Sequence, residues 1–193
     1  MTGDVAVDAV QIQIVLAETV PTLSAVKVVE YSQMLARVLW KYGINTKLRI
    51  AAFIAQLAHE SGGFRYVEEI WGPTPQQRRY GVGKLAAKLG NKSVQDGYVY
   101  RGRGWIQLTG RANYAKYGTL AGLDLVTNPA LAARPDVAFE LAALYWQDNG
   151  FNDLADKGMF KAITKGINGG FNGLVSRMRY YRAANKSLES VNV

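Results

Sequence analysis

The sequence of 193 residues contains no cysteine and one histidine, His59. The absence of cysteine excludes a disulfide framework, a thiolate nucleophile and a cysteine-ligated zinc site. A single histidine also excludes a multi-histidine metal centre. No uninterrupted apolar run approaches the roughly 18 residues of a membrane-spanning helix, so no stable membrane anchoring is expected. The chemistry of this chain must therefore be sought among carboxylate, hydroxyl, amide and guanidinium groups.

Residues 1–4 show no basic region ahead of an apolar core, which predicts a chain without a secretory signal peptide in a reducing cytosol. The length is typical of one domain. Residues 1–45 carry apolar residues at helical spacing, and no linker follows them. We therefore expect residues 1–193 to form a single domain, with residues 1–45 packed as helices on its core.

Acidic residues are under-represented: 15 Asp and Glu oppose 23 Lys and Arg, which gives a net charge of +8. Such a charge favours an anionic partner, for which nucleic acid, cell-wall glycan and outer-membrane lipid are all suitable. We find no helix-turn-helix spacing, no RNP-like aromatic strand and no zinc finger. One Arg-Gly-Arg-Gly run is a weak RNA signal, so nucleic acid is not the partner that we expect.

Apolar spacing and capping residues predict a mainly α fold with one small β element. Residues 71–97 are rich in glycine and proline and are predicted to be a long loop with one helical turn. Residues 98–109 are predicted to form two short extended segments in a small hairpin. Helices are predicted at residues 8–17, from a Thr22 or Ser24 cap to Tyr42, at Lys47–Glu60, from Pro129, from Pro135 to Trp146, at 159–165, and from an Asn172 cap to Lys186.

Glu60 is the first candidate for catalysis. It falls on the last turn of an apolar helix, where the helix dipole and partial burial both disfavour a charged carboxylate, as a general acid requires. Gly62 and Gly63 follow it and leave space for a ligand. The alternative is a surface glutamate paired with Arg65. We expect His59 to be structural.

Glu68 and Glu69 offer a second carboxylate. Two carboxylates in unlike environments are the minimal requirement for glycoside hydrolysis. The alternative is that both are solvated loop charges screened by Arg78 and Arg79. For either glutamate taken singly, the residues alone favour the solvated loop charge.

Residues 101–114 combine glycine and arginine with neutral polar side chains. Gln107, Thr109 and Asn113 suit sugar hydroxyls, acetamides or a positioned water. The alternative is a basic loop with Trp105 in the core.

Single aromatic residues elsewhere could stack on sugars but are more often core residues. The cationic residues of the last helix are predicted to form a solvated face. These aromatic residues are Trp71, Tyr80, Tyr98 and Tyr100, and the cationic ones are Arg177, Arg179, Arg182 and Lys186.

The order of several motifs resembles glycoside hydrolase family 19, which includes plant chitinases and many phage endolysins. The resemblance extends from about Gln56 to Arg182. The absence of cysteine and the short loop Glu-Ile-Trp-Gly-Pro-Thr resemble the phage endolysin branch. The motifs are His59-Glu60-Ser61-Gly62-Gly63, Gly102-Arg103-Gly104 followed by Ile106-Gln107-Leu108-Thr109, Asn113-Tyr114, Ile167-Asn168-Gly169-Gly170, and a final arginine-rich helix with paired tyrosines.

The resemblance implies roles for individual residues. Glu60 matches the general acid, Glu69 looks like the second catalytic carboxylate with Glu68 as its competitor, and Thr109 matches a residue that helps to hold the attacking water. Arg177 matches an arginine that buttresses the acid. Asn172 departs from the family, because chitinases tend to have Glu there. The substrate-binding set predicted with them is Gln107, Asn113, Asn168, Arg177, Trp105 and Tyr114.

The implied mechanism is a single displacement with inversion, which places the two carboxyl groups roughly 6.5–9.5 Å apart. It requires no metal and no other cofactor. The implied fold is a lysozyme-like α+β domain, with the small hairpin beside the active-site cleft and no separate wall-binding module.

The resemblance and the charge together predict an endolysin that hydrolyses β-1,4 bonds of peptidoglycan as a muramidase (lysozyme type) and lyses the host cell. We expect a monomer, made in the host bacterial cytoplasm, that reaches the wall in the periplasm through a holin-type pore. The enzymatic alternatives are a chitinase and a lytic transglycosylase. The non-enzymatic alternative is a basic glycan- or nucleic-acid-binding protein.

Overall fold

A computed structural model of the protein describes residues 7–193 and is mainly helical, which confirms the expected fold class. In these residues, no helix is long and apolar enough to cross a membrane. The helices are α1 (Ala9–Thr19), α2 (Ala25–Lys41), α3 (Lys47–Glu60), α4 (Pro75–Arg78), α5 (Gly83–Lys88), α6 (Asp96–Val99), α7 (Arg111–Ala121), a 3₁₀ helix (Pro129–Ala133), α8 (Pro135–Asp148), α9 (Phe151–Asp156), α10 (Phe160–Asn168) and α11 (Leu174–Ser190).

The described chain divides into two compact units. The first unit contains residues 7–65 and Tyr145–Val193, and the second contains Tyr66–Leu144. Helices α1–α3 and α9–α11 belong to the first unit. Helices α4–α7 and most of α8 belong to the second.

Helix α3 forms the centre of the first unit and packs against α9 and α11. Every residue from Ile50 to Ala58 is buried, because this helix is apolar on nearly all of its faces. Thr46 caps it by accepting a hydrogen bond from the backbone N–H of Arg49. Its observed limits are those that the sequence predicted. The last residue of α3 is Glu60, so the packing of this helix fixes the position of the candidate acid.

The final helix begins differently from the prediction. Asn172 was expected to cap it, but α11 begins at Leu174 after Gly173, whose φ is +70°. The Asn172 carbonyl instead accepts hydrogen bonds from Asn168 Nδ2 and from Arg177 Nε. The prediction of an Asn172 cap was therefore wrong, because its backbone oxygen joins the polar turn that precedes the helix.

The second unit contains more helix than the sequence indicated. The predicted long loop at residues 71–97 contains α4 and α5 and the start of α6, in place of one helical turn. Helix α4 starts with a reciprocal cap, in which Thr74 Oγ1 accepts from Gln77 N at 3.2 Å and Gln77 Oε1 accepts from Thr74 N at 2.7 Å. Pro75 occupies the first helical position, where its missing N–H costs no hydrogen bond.

The predicted hairpin is reduced to two antiparallel bridges, which pair Arg103 with Glu68 and with Leu108. Arg103 and Leu108 exchange two backbone hydrogen bonds of 3.1 and 2.8 Å. The pairing stays this short because the tight turn between them contains positive φ angles at Gly104 and Gln107. The other bridge, between Glu68 and Arg103, places residues 102–109 against the segment that contains Glu69.

Candidate active site

Glu60 in the first unit is held by a buried arginine. The side chain of Glu60 is 18% exposed, and Arg177 Nη2 of α11 donates to its Oε1. The Arg177 side chain is only 2% exposed, so the prediction that it lies on a solvated helix face was wrong. This ion pair occupies Oε1 of Glu60 and fixes the orientation of its carboxylate.

A chain of buried polar groups holds Arg177 from the other side. Arg177 Nη1 donates to Gln56 Oε1, and Gln56 Nε2 donates to Thr164 Oγ1 at 2.9 Å. Thr164 in turn donates to the Phe160 carbonyl at 3.2 Å. Gln56 and Thr164 were not predicted as site residues. The signal in the sequence was one glutamine on an otherwise apolar helix face, which a buried helix tolerates only when the amide is paired.

The charge of Glu60 affects the pKa values of two aromatic side chains in the first unit, His59 and Tyr145. Burial lowers the pKa of His59, and the positive charge of Arg177 lowers that pKa further, while Glu60 acts in the opposite direction. His59 Nδ1 lies 3.1 Å from Ser176 Oγ, which gives the ring a hydrogen-bonded position between α3 and α11. Burial raises the pKa of Tyr145, and the Glu60 charge adds to this effect. Tyr145 was not singled out from the sequence.

Glu69 in the second unit is held by neutral donors. Its Oε1 accepts from Gln77 Nε2 at 3.0 Å and from the Tyr80 hydroxyl at 3.4 Å, and its Oε2 accepts from the Gly102 N–H at 3.0 Å. Burial raises the pKa of Tyr80, and so does the adjacent Glu69. These contacts orient the carboxylate without neutralising its charge, which suits a general base.

Glu68 has the opposite environment. It forms ion pairs with Arg101 and, at 3.3 Å, with Arg103. The predicted screening by Arg78 and Arg79 is thus replaced by two arginines from the motif after the loop. The Glu68 carboxylate is held by two guanidinium groups, whereas the Glu69 carboxylate is held by neutral donors. The geometry therefore favours Glu69 over Glu68 as the base.

The polar motif residues of the second unit are linked by hydrogen bonds, and one of them, Gln107, approaches Gly102 together with Glu69. Thr109 Oγ1 donates to the Gln107 carbonyl at 2.8 Å, and Asn113 Nδ2 donates to the Thr109 carbonyl at 2.8 Å. A Cβ atom added to Gly102 would lie 2.7 Å from Gln107 Oε1 and 3.4 Å from Glu69 Oε2. Gly102 thus allows the amide of Gln107 and the carboxylate of Glu69 to approach the same stretch of backbone.

Trp105 and Tyr114 lie in the core of the second unit. Trp105 is 1% exposed and Tyr114 is fully buried. The Tyr114 hydroxyl donates to the Arg101 carbonyl at 2.7 Å, and burial raises its pKa to about 12. Their predicted direct contact with substrate is therefore corrected to a supporting role, since neither side chain presents a surface to a ligand.

Asn168 is the last residue of α10 in the first unit, directly before the turn that leads to α11. Its Oδ1 accepts from the Gly170 N–H at 2.8 Å, and its Nδ2 donates to the Asn172 carbonyl at 2.9 Å. That same carbonyl accepts from Arg177, so Asn168 is linked to the arginine that holds Glu60. Within residues 7–193, no group of three or more His, Asp or Glu side chains could hold a metal ion.

Comparison with known proteins gives one consistent family. Residues 42–172 match the glycoside hydrolase family 19 domain, described as chitinase class I. The chain is 35% identical over 167 residues to a glycosyl hydrolase family 19 domain-containing protein of Haemophilus influenzae, covering 74% of this chain and 82% of that protein. It is 40% identical over 146 residues to the Arabidopsis thaliana endochitinase At2g43620, covering 72% of this chain but 47% of the endochitinase. The chain thus spans about half the length of this plant relative.

Solved structures show the same fold. The crystal structure of chitinase C from Streptomyces griseus superposes with a TM-score of 0.71 at 22% identity and covers 98% of this chain and 95% of its own. The class IV chitinase of Zea mays superposes with a TM-score of 0.55 at 29% identity and covers 74% of this chain and 69% of its own. These similarities bear out the lysozyme-like fold that the motifs implied.

Proposed function

Because the chain belongs to glycoside hydrolase family 19 and is therefore a chitinase-like glycosidase, we propose that it is a muramidase-type endolysin that hydrolyses β-1,4 bonds of bacterial peptidoglycan. The hydrolytic part of this proposal is carried by one observation, namely two carboxylates with unlike surroundings. Glu60 is held by a buried arginine, and Glu69 is held by neutral donors. The choice of peptidoglycan is supported by the net charge of +8, which favours an anionic polymer over uncharged chitin.

In the proposed reaction Glu60 is the general acid. It gives its proton to the glycosidic oxygen as the bond from that oxygen to the anomeric carbon breaks. Arg177 fixes Oε1, so that Oε2 can carry this proton. The Gln56 and Thr164 contacts hold Arg177 in turn, which keeps the acid in one orientation.

Glu69 is the proposed general base. It accepts a proton from a water molecule whose oxygen attacks the anomeric carbon from the face opposite the leaving group, and the configuration inverts. Thr109 would share the positioning of this water, while Gln107 and Asn113 would bind hydroxyl or acetamide groups of the sugar. Metal ions and organic cofactors take no part in this scheme.

Replacing Glu60 by Gln tests the acid. Glutamine keeps an oxygen that can accept from Arg177, but it has no acidic proton to transfer. We expect lysis of purified peptidoglycan to fall by about 10²–10⁴-fold, the usual contribution of a general acid, with the helical circular dichroism spectrum unchanged. A variant that still lyses walls at a rate near that of the wild type would contradict the catalytic role and favour the non-enzymatic alternative.

Mass spectrometry of the products tests the type of reaction. Fragments that end in a reducing N-acetylmuramic acid are expected from a muramidase. Fragments with an anhydro-sugar end would instead identify a lytic transglycosylase. The chitinase alternative is favoured by the endochitinases among the relatives, and release of sugars from chitin oligomers but not from peptidoglycan would establish it.

We also propose that the enzyme acts as a monomer on the wall of a bacterial host, in whose cytoplasm it is made. In that role it would need a holin-type pore to reach the wall. It would need no nucleic-acid partner. Expression in bacteria with and without a pore-forming protein tests this route, because lysis that needs no pore would refute it.

A further inference from the structure

A pocket of about 380 Å³ lies wholly within the first unit. Its size falls in the range of roughly 300–1,000 Å³ that is usual for small-ligand sites. Its walls come from the start of α2, the turn that follows α3, and α11. We call it the Lys27–Arg65 pocket; its polar lining comprises Thr22, Ser24, Lys27, Arg65 and Tyr180.

The turn after α3 places this pocket next to Glu60. Gly62 and Gly63 both line it and have φ angles of +61° and +76°. A Cβ atom on Gly63 would approach Thr22 Oγ1 to 3.3 Å, so the absence of a side chain lets the turn pack closely against the segment before α2. Gly62 follows Glu60 by two residues, and their Cα atoms are therefore at most about 7 Å apart. A substituent on a sugar held at Glu60 can consequently reach the pocket.

The lining of the pocket suits an anion. Lys27 and Arg65 supply two positive charges, and none of the described residues that line the pocket is acidic. Thr22, Ser24 and Tyr180 add hydroxyl groups that can donate hydrogen bonds. Ser24 is also the N-cap of α2, a helix of 17 residues, and its side chain makes no capping bond. The positive end of this helix adds to the two side-chain charges.

Resting on the proposed function, we propose that the Lys27–Arg65 pocket binds a carboxylate borne by the peptidoglycan chain. Chitin has no such group, so the pocket makes the enzyme prefer the wall polymer. Two sources share this chemistry. One is the stem peptide, and the other is the lactyl group of N-acetylmuramic acid, which is a free carboxylate wherever the peptide has been removed.

The experiment compares two double variants in a Glu60→Gln background, so that ligands are bound but not consumed. Lys27→Met with Arg65→Met removes both cations of the pocket. Lys157→Met with Lys161→Met removes the same charge from exposed positions elsewhere in the first unit. Dissociation constants are measured by calorimetry for three tetrasaccharides: a peptide-bearing muropeptide, the same glycan stripped of peptide, and a chitin oligomer.

We expect the pocket variant to bind an anionic ligand about 10-fold more weakly, because charge-assisted hydrogen bonds are lost. Its dissociation constant for the chitin oligomer should change by less than about twofold. The control variant should change by less than about twofold for all three ligands. Weakening confined to the muropeptide identifies the stem peptide as the source, whereas weakening that includes the stripped glycan identifies the lactyl group. Equal affinities in the pocket and control variants, or equal weakening for chitin, would overturn the proposal. Hydrolysis of peptidoglycan by the unmodified enzyme is measured separately, so a failure of the pocket leaves the proposed function intact.

Discussion

Glu68 and Glu69 are identical residues at adjacent positions, yet their side chains have different partners. Glu68 is paired with Arg101 and Arg103, while Glu69 accepts hydrogen bonds from an amide, a phenol and a backbone N–H. Their sequence positions alone left both open as the second carboxylate. The difference arises because the bridge between Glu68 and Arg103 turns successive side chains to opposite sides.

Paired variants test this assignment. We expect Glu69→Gln to lower kcat on peptidoglycan by about 100-fold or more, because glutamine cannot accept a proton from water as the proposed base does. Glu68→Gln should keep most of the activity and mainly lower the melting temperature, since Arg101 and Arg103 lose their partner. Steady-state rates and thermal melts of both variants give the answer. Inactivation by Glu68→Gln alone would reverse the assignment.

The candidate site was only partly predictable at the residue scale. Glu60 could be singled out because a carboxylate at the end of an apolar helix is unusual. Its contact with Arg177 joins positions 117 residues apart, and the burial of that arginine does not follow from any local pattern. Gln56 and Tyr145 were missed for the same reason, since their relation to Glu60 exists only after the helices have packed.

At the scale of elements, α3 was predictable because the sequence marks both of its ends. Helix α3 has Thr46 as cap, a continuous apolar pattern and two glycines at its end, and its predicted limits are the observed ones. Helix α7 (Arg111–Ala121) was missed, because it is rich in polar residues and starts after Gly110 without a side-chain cap. Its start is instead secured by tertiary contacts of Arg111.

One partly buried ion pair links α6 to α7 in the second unit. Arg111 donates to both oxygens of Asp96 at 2.7 and 2.9 Å, and Asp96 also accepts from Lys92 N and Ser93 Oγ. These contacts, led by the Arg111 hydrogen bond, hold the pKa of Asp96 far below its usual range. The pair therefore anchors the start of α7 to the chain segment that precedes α6.

Replacing Asp96 by Asn should destabilise the protein by about 1.5–3 kcal/mol, because it removes the charge-assisted hydrogen bonds to the Arg111 guanidinium. Folding lowers the pKa of Asp96. The stabilisation from this pair is therefore fully present above the unfolded pKa of about 4, and it is lost progressively as the pH falls from there through the folded pKa. Urea unfolding at pH 7 and pH 3 should show a smaller difference between variant and wild type at pH 3. Asp136→Asn, which breaks the exposed pair with Arg134, is the control and should cost less than about 1 kcal/mol. Equal costs for both variants would refute the anchoring role.

At the scale of the whole molecule, charge is the property that separates the two candidate polymers. Peptidoglycan and chitin share β-1,4-linked amino sugars, so groups that bind hydroxyls and acetamides serve both. The net charge of +8 attracts only the polymer that carries carboxylates. Most of these cations are exposed, and their attraction is consequently sensitive to salt.

Salt dependence therefore provides a test that needs no substitution. Raising NaCl from about 0.1 M to 1 M shortens the screening length from about 10 Å to about 3 Å. We expect KM for soluble peptidoglycan fragments to rise several-fold over this range, while kcat and the affinity for chitin oligomers stay nearly constant, because salt screens the attraction between separated exposed charges far more than it affects neutral contacts. Initial rates on both substrates across the salt series measure this. If KM rises equally for the two substrates, the charge of the protein does not select the wall polymer. The hypothesis of a chitinase would then be the stronger one.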